Sequence, residues 1–344
     1  MVITPLTLDR APEQAAVVLS GYGPVGRAFA GHLISRGAEI TLRHGVRLRL
    51  AAVRVRAAQC LPREGEPPES RSAWEPLAPL ERTLGQTGAS VLVQTLPSSP
   101  EESRQAGDEA ALALRRGVHV VTATKSHLLS RWRELEEAAW AGRSLIRISA
   151  ATGAALPAGD LARTGMRGLG CESVRACLNG TATFVLDRLE AGDSLAEAVA
   201  RARRRGIAEA DPSADLSGFD AAAKARLLTA LLWRWDPAAV RTRTEPVDAR
   251  TASAAVRAAA AGRRLRAVAD ARADEPFLVQ VRLQETVPGD PLYALEGPEK
   301  AVVYGCPDAG AITVSGGRSS PLGAALALVK DTLAVTTAER FGFA

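Results

Sequence analysis

Residues 15–26 read Ala-Ala-Val-Val-Leu-Ser-Gly-Tyr-Gly-Pro-Val-Gly, an apolar run followed directly by three glycines spaced G-x-G-x-x-G. Uninterrupted apolar runs are typical of buried parallel strands, and residues 27–36 that follow have a helical pattern. In a strand–turn–helix unit, Gly21 permits the tight turn, Gly23 lets the backbone approach a pyrophosphate, and Gly26 lets the helix pack on the strand. The stretch therefore predicts a dinucleotide cofactor, bound through Gly21, Gly23, Pro24, Val25 and Gly26.

The chain after this turn continues to alternate strand and helix patterns. Strands are predicted at 46–55, 90–95, 118–122 and 146–149, a helix at 100–116, and a loop with one short helix at 61–88. This alternation predicts an α/β protein with a Rossmann-type doubly wound parallel sheet in residues 1–147. Ligands of such sheets bind at the carboxyl ends of the strands, where Thr95 and Lys125 fall.

The end of the second predicted strand bears on the choice of cofactor. A site for NAD usually offers an acidic side chain there for the ribose 2′-hydroxyl, but residues 53–56 read Val-Arg-Val-Arg and no acid follows before Glu64. Arg54 or Arg56 could instead contact a 2′-phosphate, which favours NADP while leaving NAD possible. The alternative is that both are solvent-exposed arginines in a chain rich in arginine.

A second distinctive stretch, residues 206–224, reads Gly-Ile-Ala-Glu-Ala-Asp-Pro-Ser-Ala-Asp-Leu-Ser-Gly-Phe-Asp-Ala-Ala-Ala-Lys. A helix is predicted over residues 220–233, and on it Asp220 and Lys224 share a face with an apolar stripe. The pair therefore points to the interior, where a lysine among carboxylates stays protonated and can donate a proton. The alternative is a surface ion pair beside a solvated loop. Lysine is rare, however, and occurs at Lys125, Lys224, Lys300 and Lys330.

The rest of the second half has the pattern of an α+β domain. Short strand and helix patterns over residues 148–315 predict a mixed sheet in a second domain. Residues 179–181, Asn-Gly-Thr, join a predicted strand to a predicted helix, and this corner is either a ligand-binding segment or a plain turn. Residues 316–344 are expected to form a loop and a helix that return to the first domain.

Composition narrows the class of protein. The chain has 344 residues, enough for two domains, and its formal net charge is +5. The arginines are interleaved with acids and aromatic residues make up 4%, so we expect no nucleic-acid partner. The four cysteines lack metal-type spacing, no signal peptide is visible, and no uncharged apolar run reaches the roughly 18 residues of a membrane helix. We therefore expect a cytoplasmic protein with no membrane partner.

The chain resembles homoserine dehydrogenase in six ordered motifs: G-Y-G-P-V-G, V-T-A-T-K, A-T-G-A-A-L-P, L-N-G-T, the stretch 206–224, and S-G-G near the carboxyl end. That family interconverts L-homoserine and L-aspartate 4-semialdehyde with NAD(P). The resemblance is to its short form, without an aspartokinase or a regulatory ACT domain. It implies a small amino-acid substrate and a homodimer formed through the substrate-binding second domain.

The resemblance also implies roles for individual residues. Lys224 matches the proton donor, Asp220 a catalytic and substrate-site carboxylate, and Lys125 a catalytic lysine near nicotinamide and substrate. Further substrate contacts are implied for Glu209, Asp215 and Thr181, and further cofactor contacts for Thr95, Gly206 and Gly316. A structural monovalent cation, possible as sodium, is implied at the backbone carbonyls of Ser149, Thr152, Ala154 and Leu156.

The chain departs from the family pattern at several positions. Thr124 replaces the Asn of V-T-A-N-K, Ser149 replaces a Glu before the glycine-rich turn, and Ala155 replaces a later glycine of that turn. After N-G-T, residues 182–183 are Ala-Thr instead of Thr-Asn. These changes leave two alternatives open: the same chemistry on a related amino-acid semialdehyde, and a non-catalytic dinucleotide-binding regulator. A DNA-binding regulator is not favoured because no helix-turn-helix signature is visible.

Overall fold

The computed structural model describes residues 12–63, 65–68, 74–209, 211–317 and 319–337. These residues group into two compact units. The first comprises the described residues of 12–124, 134–147 and 328–337, and the second comprises those of 125–133 and 148–327. Residues 125–133, which the sequence pattern placed in the first domain, thus group with the second unit. Within the described residues, no helix has the length and apolar character needed to span a bilayer.

The first unit is built on one sheet. Its strands among the described residues are β1 (Glu13–Ser20), β2 (Val46–Arg54), β3 (Ala58–Cys60), β4 (Trp74–Pro76), β5 (Val91–Gln94), β6 (His119–Thr122) and β7 (Ile146–Arg147). They lie in the order β4-β3-β2-β1-β5-β6-β7, and the five strands from β2 to β7 in this order run parallel. Every residue of the run 15–20 is buried in β1. The predicted Rossmann-type fold is therefore confirmed.

Two short strands lie outside the predicted pattern. At the edge of the sheet, β3 pairs antiparallel with β2, with Cys60 opposite Val53, and β4 pairs antiparallel with β3, with Trp74 opposite Cys60. β4 falls within residues 61–88, which the sequence predicted to be a loop with one short helix. Strands of three residues are too short to show an alternating pattern, so pairing decides their conformation: β3 pairs with β2, and β4 pairs with β3.

The second unit contains a mixed sheet, as predicted. Its strands in the described part of the chain are β8 (Ser173–Cys177), β9 (Arg241–Thr244), β10 (Arg264–Arg272), β11 (Leu278–Thr286), β12 (Lys300–Cys306) and β13 (Gly310–Gly316). Their order is β13-β12-β8-β10-β11-β9, with antiparallel pairs except for the parallel pair of β11 and β9.

The helices of both units follow one another along the chain in this order: α1 (Pro24–His44), α2 (Leu80–Thr87), α3 (Pro100–Arg115), α4 (Ser126–Ser130), α5 (Trp132–Ala141), α6 (Ser149–Thr152), α7 (Ala158–Asp160), α8 (Gly180–Glu190), α9 (Leu195–Arg204), α10 (Ser213–Leu216), α11 (Phe219–Trp233), α12 (Thr251–Ala260) and α13 (Pro321–Thr337). A π-helical turn, Leu161–Gly165, follows α7, and a 3-10 turn, Pro237–Ala239, precedes β9.

Helix α1 is longer than the predicted helix of residues 27–36. It continues through Gly37 and ends at His44, where Gly45 has φ +67°. A glycine inside a helix lowers stability by only about 1 kcal/mol, so Gly37 does not end α1. Gly45 does, because its left-handed conformation suits the residue that follows a helix.

Helix α11 carries the Asp220–Lys224 pair. It begins after Gly218, which has φ +81°, and its residues Ala221, Ala225 and Leu228 belong to one buried core cluster with Val302 of β12. This packing turns one face of α11 toward the interior of the second unit. Helix α9, earlier in the chain, begins with a capping box, in which the Ser194 and Glu197 side chains bond each other's backbone N–H groups.

Candidate functional site

The glycine-rich turn lies between β1 and α1. A Cβ atom on Gly26 would lie 2.4 Å from the Gly21 carbonyl oxygen, and one on Gly21 would lie 2.8 Å from the Thr95 carbonyl oxygen. Thr95 also donates a hydrogen bond from Oγ1 to the Gly21 carbonyl oxygen at 2.9 Å, which fixes the turn. Beyond the chain neighbours of Gly23, no described heavy atom lies within 4 Å of its Cβ position, so its backbone is open to a ligand.

This turn fits the pyrophosphate of a dinucleotide. Helix α1 begins at Pro24, whose missing N–H would have no partner within the helix. The N–H groups of Val25 and Gly26 in the same first turn lack acceptors inside the helix, and the helix dipole favours an anion there. Side chains at Gly21 and Gly26 would fill the cradle, which explains why both positions are glycine.

We expect Gly26→Ala to weaken NADPH binding roughly tenfold or more. The added Cβ would press on the Gly21 carbonyl group, and overpacking of this kind costs about 1–3 kcal/mol. Gly31→Ala in the same helix is the matched control, because no described atom outside its own helix lies within 4 Å of that Cβ position. The measurement is a fluorescence titration with NADPH. Equal affinities of the two variants would contradict the prediction.

The two arginines expected at a 2′-phosphate have different surroundings. Arg54 is 4% exposed, and its Nη1 donates to Gln59 Oε1 at 3.0 Å and to Thr83 Oγ1 at 2.6 Å. Burial lowers the pKa of its guanidinium. These contacts hold Arg54 inside the first unit, contrary to the predicted phosphate contact. Arg56 has an exposed side chain that pairs with Glu102 at 2.6 Å, so it remains a candidate for that contact.

In the second unit, the Asp220 carboxylate joins the residues predicted to be catalytic. Lys224 Nζ lies 2.5 Å from Asp220 Oδ2, one turn along α11, and Lys125 Nζ lies 3.2 Å from Asp220 Oδ1. Asn179 donates a hydrogen bond from Nδ2 to Asp220 Oδ2 at 2.9 Å. The fold thus brings Lys125 and Asn179 to the Asp220–Lys224 pair, although they are distant in sequence. We call these four residues the Asp220 cluster.

The charges of this cluster keep Asp220 ionised. Burial by itself would raise the pKa of Asp220, but Lys224, Lys125 and the hydrogen bonds from Lys224 and Asn179 lower that pKa far below its ordinary value. Lys224 Nζ also donates to the Leu178 carbonyl oxygen at 3.0 Å, so two acceptors orient its ammonium group. An oriented ammonium in a largely buried site can stabilise a developing oxyanion and give it a proton.

Asn179, in the corner of residues 179–181, is a site residue for which the sequence predicted no individual role. Besides Asp220, its Nδ2 contacts Asp215 Oδ1 at 2.5 Å, so one amide bridges two of the predicted substrate-site acids. Its Oδ1 accepts a hydrogen bond from the Ala182 N–H at 2.9 Å and thereby caps α8. An Asn directly before Gly at a strand-to-helix junction is a typical N-cap, and this pattern in the sequence could have indicated the role of Asn179.

The other predicted ligand residues lie in the segments around α8, α9 and β13. Thr181 is buried and donates from Oγ1 to the Ile207 carbonyl oxygen at 3.1 Å, which ties α8 to the segment after α9. Gly206 has φ +66° and ends α9. Gly316 has φ +105° at the end of β13. Glu209 is exposed, and no hydrogen bond or ion pair among the described residues joins it to the Asp220 cluster.

The predicted cation site is the turn of residues 149–157, which includes α6. The Ser149 carbonyl oxygen accepts a hydrogen bond from the Gly153 N–H at 3.0 Å, and the Leu156 carbonyl oxygen accepts one from the Ala158 N–H at 2.8 Å. Two of the four predicted ligand oxygens are therefore engaged by backbone donors. Within the described residues, no group of three or more His, Cys, Asp or Glu side chains could hold a metal ion.

A lysine already brings positive charge to this turn. Lys300 donates a hydrogen bond from Nζ to the Gly153 carbonyl oxygen at 2.6 Å. Gly153 stands between the predicted ligands Thr152 and Ala154, and Ala154 has φ +52°. An ammonium at this position would repel a free cation bound at the neighbouring carbonyls. The arrangement therefore does not fit the monovalent cation that the resemblance implied.

His127 in α4, two residues after Lys125, is fully buried. Neither ring nitrogen has a hydrogen-bond partner among the described residues, and burial together with the nearby Arg131 lowers the pKa of His127 to about 4. Between about pH 6.5 and 4 the unfolded chain therefore binds a proton that the folded chain does not. Acid lowers the free energy of unfolding in this window, by roughly 3 kcal/mol over the whole of it.

We therefore expect His127→Leu to reduce the loss of stability between about pH 6.5 and 4. The measurement is urea unfolding at a series of pH values, with wild type and variant side by side. His44→Leu, which removes an exposed imidazole, is the control. Its free energy of unfolding should fall between about pH 6.5 and 4 as much as that of wild type. If the free energy of unfolding depends on pH in the same way for wild type and His127→Leu, His127 does not cause the loss of stability in acid.

Comparisons with known proteins point to one family. A model of homoserine dehydrogenase matches residues 157–333, which is more than half of the 344 residues. The chain is 32% identical over 216 residues to a homoserine dehydrogenase of Corynebacterium glutamicum, and the match covers 62% of this chain and 46% of that protein. It is 29% identical over 226 residues to an NAD(+)-dependent homoserine dehydrogenase of Pseudomonas canavaninivorans, covering 62% of this chain and 64% of that protein. The chain thus spans less than two thirds of these relatives.

Solved structures share the fold. A hyperthermophilic archaeal homoserine dehydrogenase in complex with NADPH superposes with a TM-score of 0.77 at 22% identity, over 94% of this chain and 98% of that one. A homoserine dehydrogenase from Thiobacillus denitrificans superposes with a TM-score of 0.79 at 24% identity, over 95% of this chain and 74% of that one. These likenesses establish the architecture of both sheets.

Proposed function

Because the chain belongs to the homoserine dehydrogenase family, we propose that it interconverts L-homoserine and L-aspartate 4-semialdehyde with a nicotinamide dinucleotide. The observation that carries the proposal is the Asp220 cluster, in which one carboxylate holds Lys224 at 2.5 Å and Lys125 at 3.2 Å. Buried ion pairs can serve structure alone, but two lysines converging on one carboxylate supply the positive charge that reduction of an aldehyde requires.

In the reductive direction, a dinucleotide held by the glycine-rich turn from Gly21 to Gly26 would supply the hydride that the aldehyde carbon accepts. The carbonyl oxygen then carries negative charge, which Lys224 and Lys125 stabilise. Lys224 donates a proton from Nζ to this oxygen to give the alcohol, and in the oxidative direction it accepts that proton. Asp220 orients Lys224 and, with Asn179, keeps the two ammonium groups in place.

The substrate's amino-acid head requires charged partners. We assign Asp215 and Glu209 to its ammonium group and Thr181 to the wall of the pocket, since a buried ammonium is unfavourable without a carboxylate. The glycine-rich turn from Gly21 to Gly26 would hold the pyrophosphate, supported by Thr95. Gly206 and Gly316 are proposed as additional backbone contacts of the cofactor.

We propose NADP as the preferred cofactor, with Arg56 at the 2′-phosphate. No acidic residue follows β2 before Glu64, and Arg56 is exposed. The relatives are named for either cofactor: one archaeal homologue is in complex with NADPH, and the Pseudomonas relative is NAD(+)-dependent. We further propose a cytoplasmic homodimer that acts in threonine and methionine biosynthesis, as the family implies.

The deciding experiment is an oxidation assay of purified protein with L-homoserine, run with NADP and NAD side by side. L-Serine and 2-amino-5-hydroxypentanoic acid serve as shorter and longer alcohols. Turnover of L-homoserine with NADP preferred is the expected result. If the protein oxidises another alcohol but not L-homoserine, that alcohol and not L-homoserine is its substrate. NADPH binding without turnover of any of the three alcohols would favour a non-catalytic regulator.

A further inference from the structure

Lys300 is a buried lysine to which the proposed reaction gives no role. It begins β12, is 1% exposed, and donates a hydrogen bond to the Gly153 carbonyl oxygen at 2.6 Å. Among the described residues, no carboxylate lies within ion-pair distance of its Nζ. Burying an ammonium is unfavourable unless it is well paired. An ordinary ion pair therefore does not explain why the Lys300 ammonium is buried.

The turn that receives this ammonium offers carbonyl oxygens instead of carboxylates. Residues 149–157 read Ser-Ala-Ala-Thr-Gly-Ala-Ala-Leu-Pro, so the turn itself offers a cation only backbone oxygens and two hydroxyls. Ala154 has φ +52°, a left-handed conformation that is unfavourable for alanine and must be imposed by its surroundings. Hard cations are bound by oxygen atoms of this kind.

Two strands hold Lys300 against the turn. In the β12–β13 pair Lys300 lies opposite Gly316, and a Cβ atom on the next residue, Gly317, would lie 3.0 Å from the Leu156 nitrogen. The backbone after β13 therefore contacts the turn from one strand while the Lys300 side chain contacts it from the other. The position of the ammonium is fixed by the sheet and does not depend on a mobile loop.

The charge of Lys300 also acts on the Asp220 cluster. Burial, and then the charge of Lys224, lower the pKa of Lys300 to about 8, while Asp220 opposes the shift. At neutral pH the group is thus mainly protonated. Its positive charge adds to those of Lys224 and Lys125 around the Asp220 carboxylate.

We propose that the Lys300 ammonium takes the place of a monovalent cation in the turn of residues 149–157. The positive charge at this turn then comes from a side chain of the protein and not from a bound ion. A tethered ammonium bonds the Gly153 carbonyl oxygen and supplies one positive charge, as a bound sodium ion would. It cannot dissociate, so neither stability nor activity should depend on the monovalent cation in the solution. The proposal concerns the fold and does not require the proposed activity.

The test compares the thermal unfolding midpoint in sodium chloride, potassium chloride and choline chloride at matched ionic strength. Wild type and the control Lys330→Ala, at a half-exposed lysine, are expected to give the same midpoint in all three salts. Lys300→Ala removes the ammonium and leaves space at Gly153. We expect its midpoint in choline chloride to fall by roughly 3–10 °C and to recover in a saturable way in sodium or potassium chloride.

Two results would overturn the proposal. One is a saturable rise of the wild-type midpoint with sodium or potassium, because the turn would then bind an external cation despite Lys300. The other is an equal fall of the Lys300→Ala unfolding midpoint in all three salts, which would mean that Lys300 stabilises the fold without replacing a cation. If Lys300→Ala does not fold, the wild-type series still decides. Since unfolding is the readout, absence of homoserine turnover would count against the proposed function alone.

Discussion

Lys224→Met is expected to lower kcat for homoserine oxidation roughly 1000-fold, because loss of a positioned proton-transfer group typically lowers the rate 100- to 10,000-fold. Methionine keeps much of the length and packing of the side chain but has no ammonium group. Asp220 and the Leu178 carbonyl oxygen then lose their shared donor. The dissociation constant of NADPH should change little, since the glycine-rich turn is not altered. Steady-state kinetics and a binding titration on the same preparation measure both quantities.

Lys330→Met is the matched control for this prediction. It removes another of the four lysines, one that pairs with its neighbour Asp331 in α13 and lies outside the Asp220 cluster. Its kcat should remain close to that of wild type. If Lys224→Met keeps more than about a tenth of wild-type kcat, Lys224 is not the proton donor, because this loss would fall below the range of general acid–base catalysis.

Asp220→Asn should lower both stability and turnover. The amide keeps the shape of the side chain but leaves Lys224 and Lys125 close together without the carboxylate that compensates them. Breaking a buried ion pair from one side costs about 3–5 kcal/mol in the free energy of unfolding. Because Asp220 orients Lys224, kcat should fall as well, by about 100-fold or more. Urea unfolding and steady-state kinetics test the two effects.

The pH dependence of the Asp220→Asn effect has a definite sign. The pKa of Asp220 is lowered in the folded protein, so its contribution to stability is full above the ordinary range for aspartate. It is lost as the pH falls toward the lowered pKa of the folded state. The difference between wild type and variant should therefore be large at neutral pH and shrink in acid.

Asp211→Asn is the control for the same acidic segment. Asp211 is exposed and accepts a hydrogen bond from the Ser213 N–H at 3.0 Å, so its replacement should change stability by no more than about 0.5 kcal/mol. A loss of stability for Asp220→Asn no larger than that of Asp211→Asn would mean that the ion pairs of Asp220 do not stabilise the second unit.

Much of the fold was predictable because its signals are local. The apolar run of residues 15–20 predicts a buried parallel strand, and the glycines that follow predict the turn into α1, because a side chain at Gly26 would meet the Gly21 carbonyl oxygen. The strand β4 and the extension of α1 beyond Gly37 were not predictable in this way. Each depends on a partner elsewhere: β4 on pairing with β3, and α1 on packing over the sheet.

The sequence by itself determined the strand–turn–helix unit, the pairing of Asp220 with Lys224 and the family to which the chain belongs. These depend on spacings of a few residues, which fix the relative positions of side chains along one strand or one helix. Only the tertiary structure decided that Asn179 bridges Asp215 and Asp220, that Arg54 is buried, and that Lys300 contacts Gly153. The physical reason is that these contacts join segments far apart in the chain, and no local periodicity encodes which distant groups a buried charge will meet.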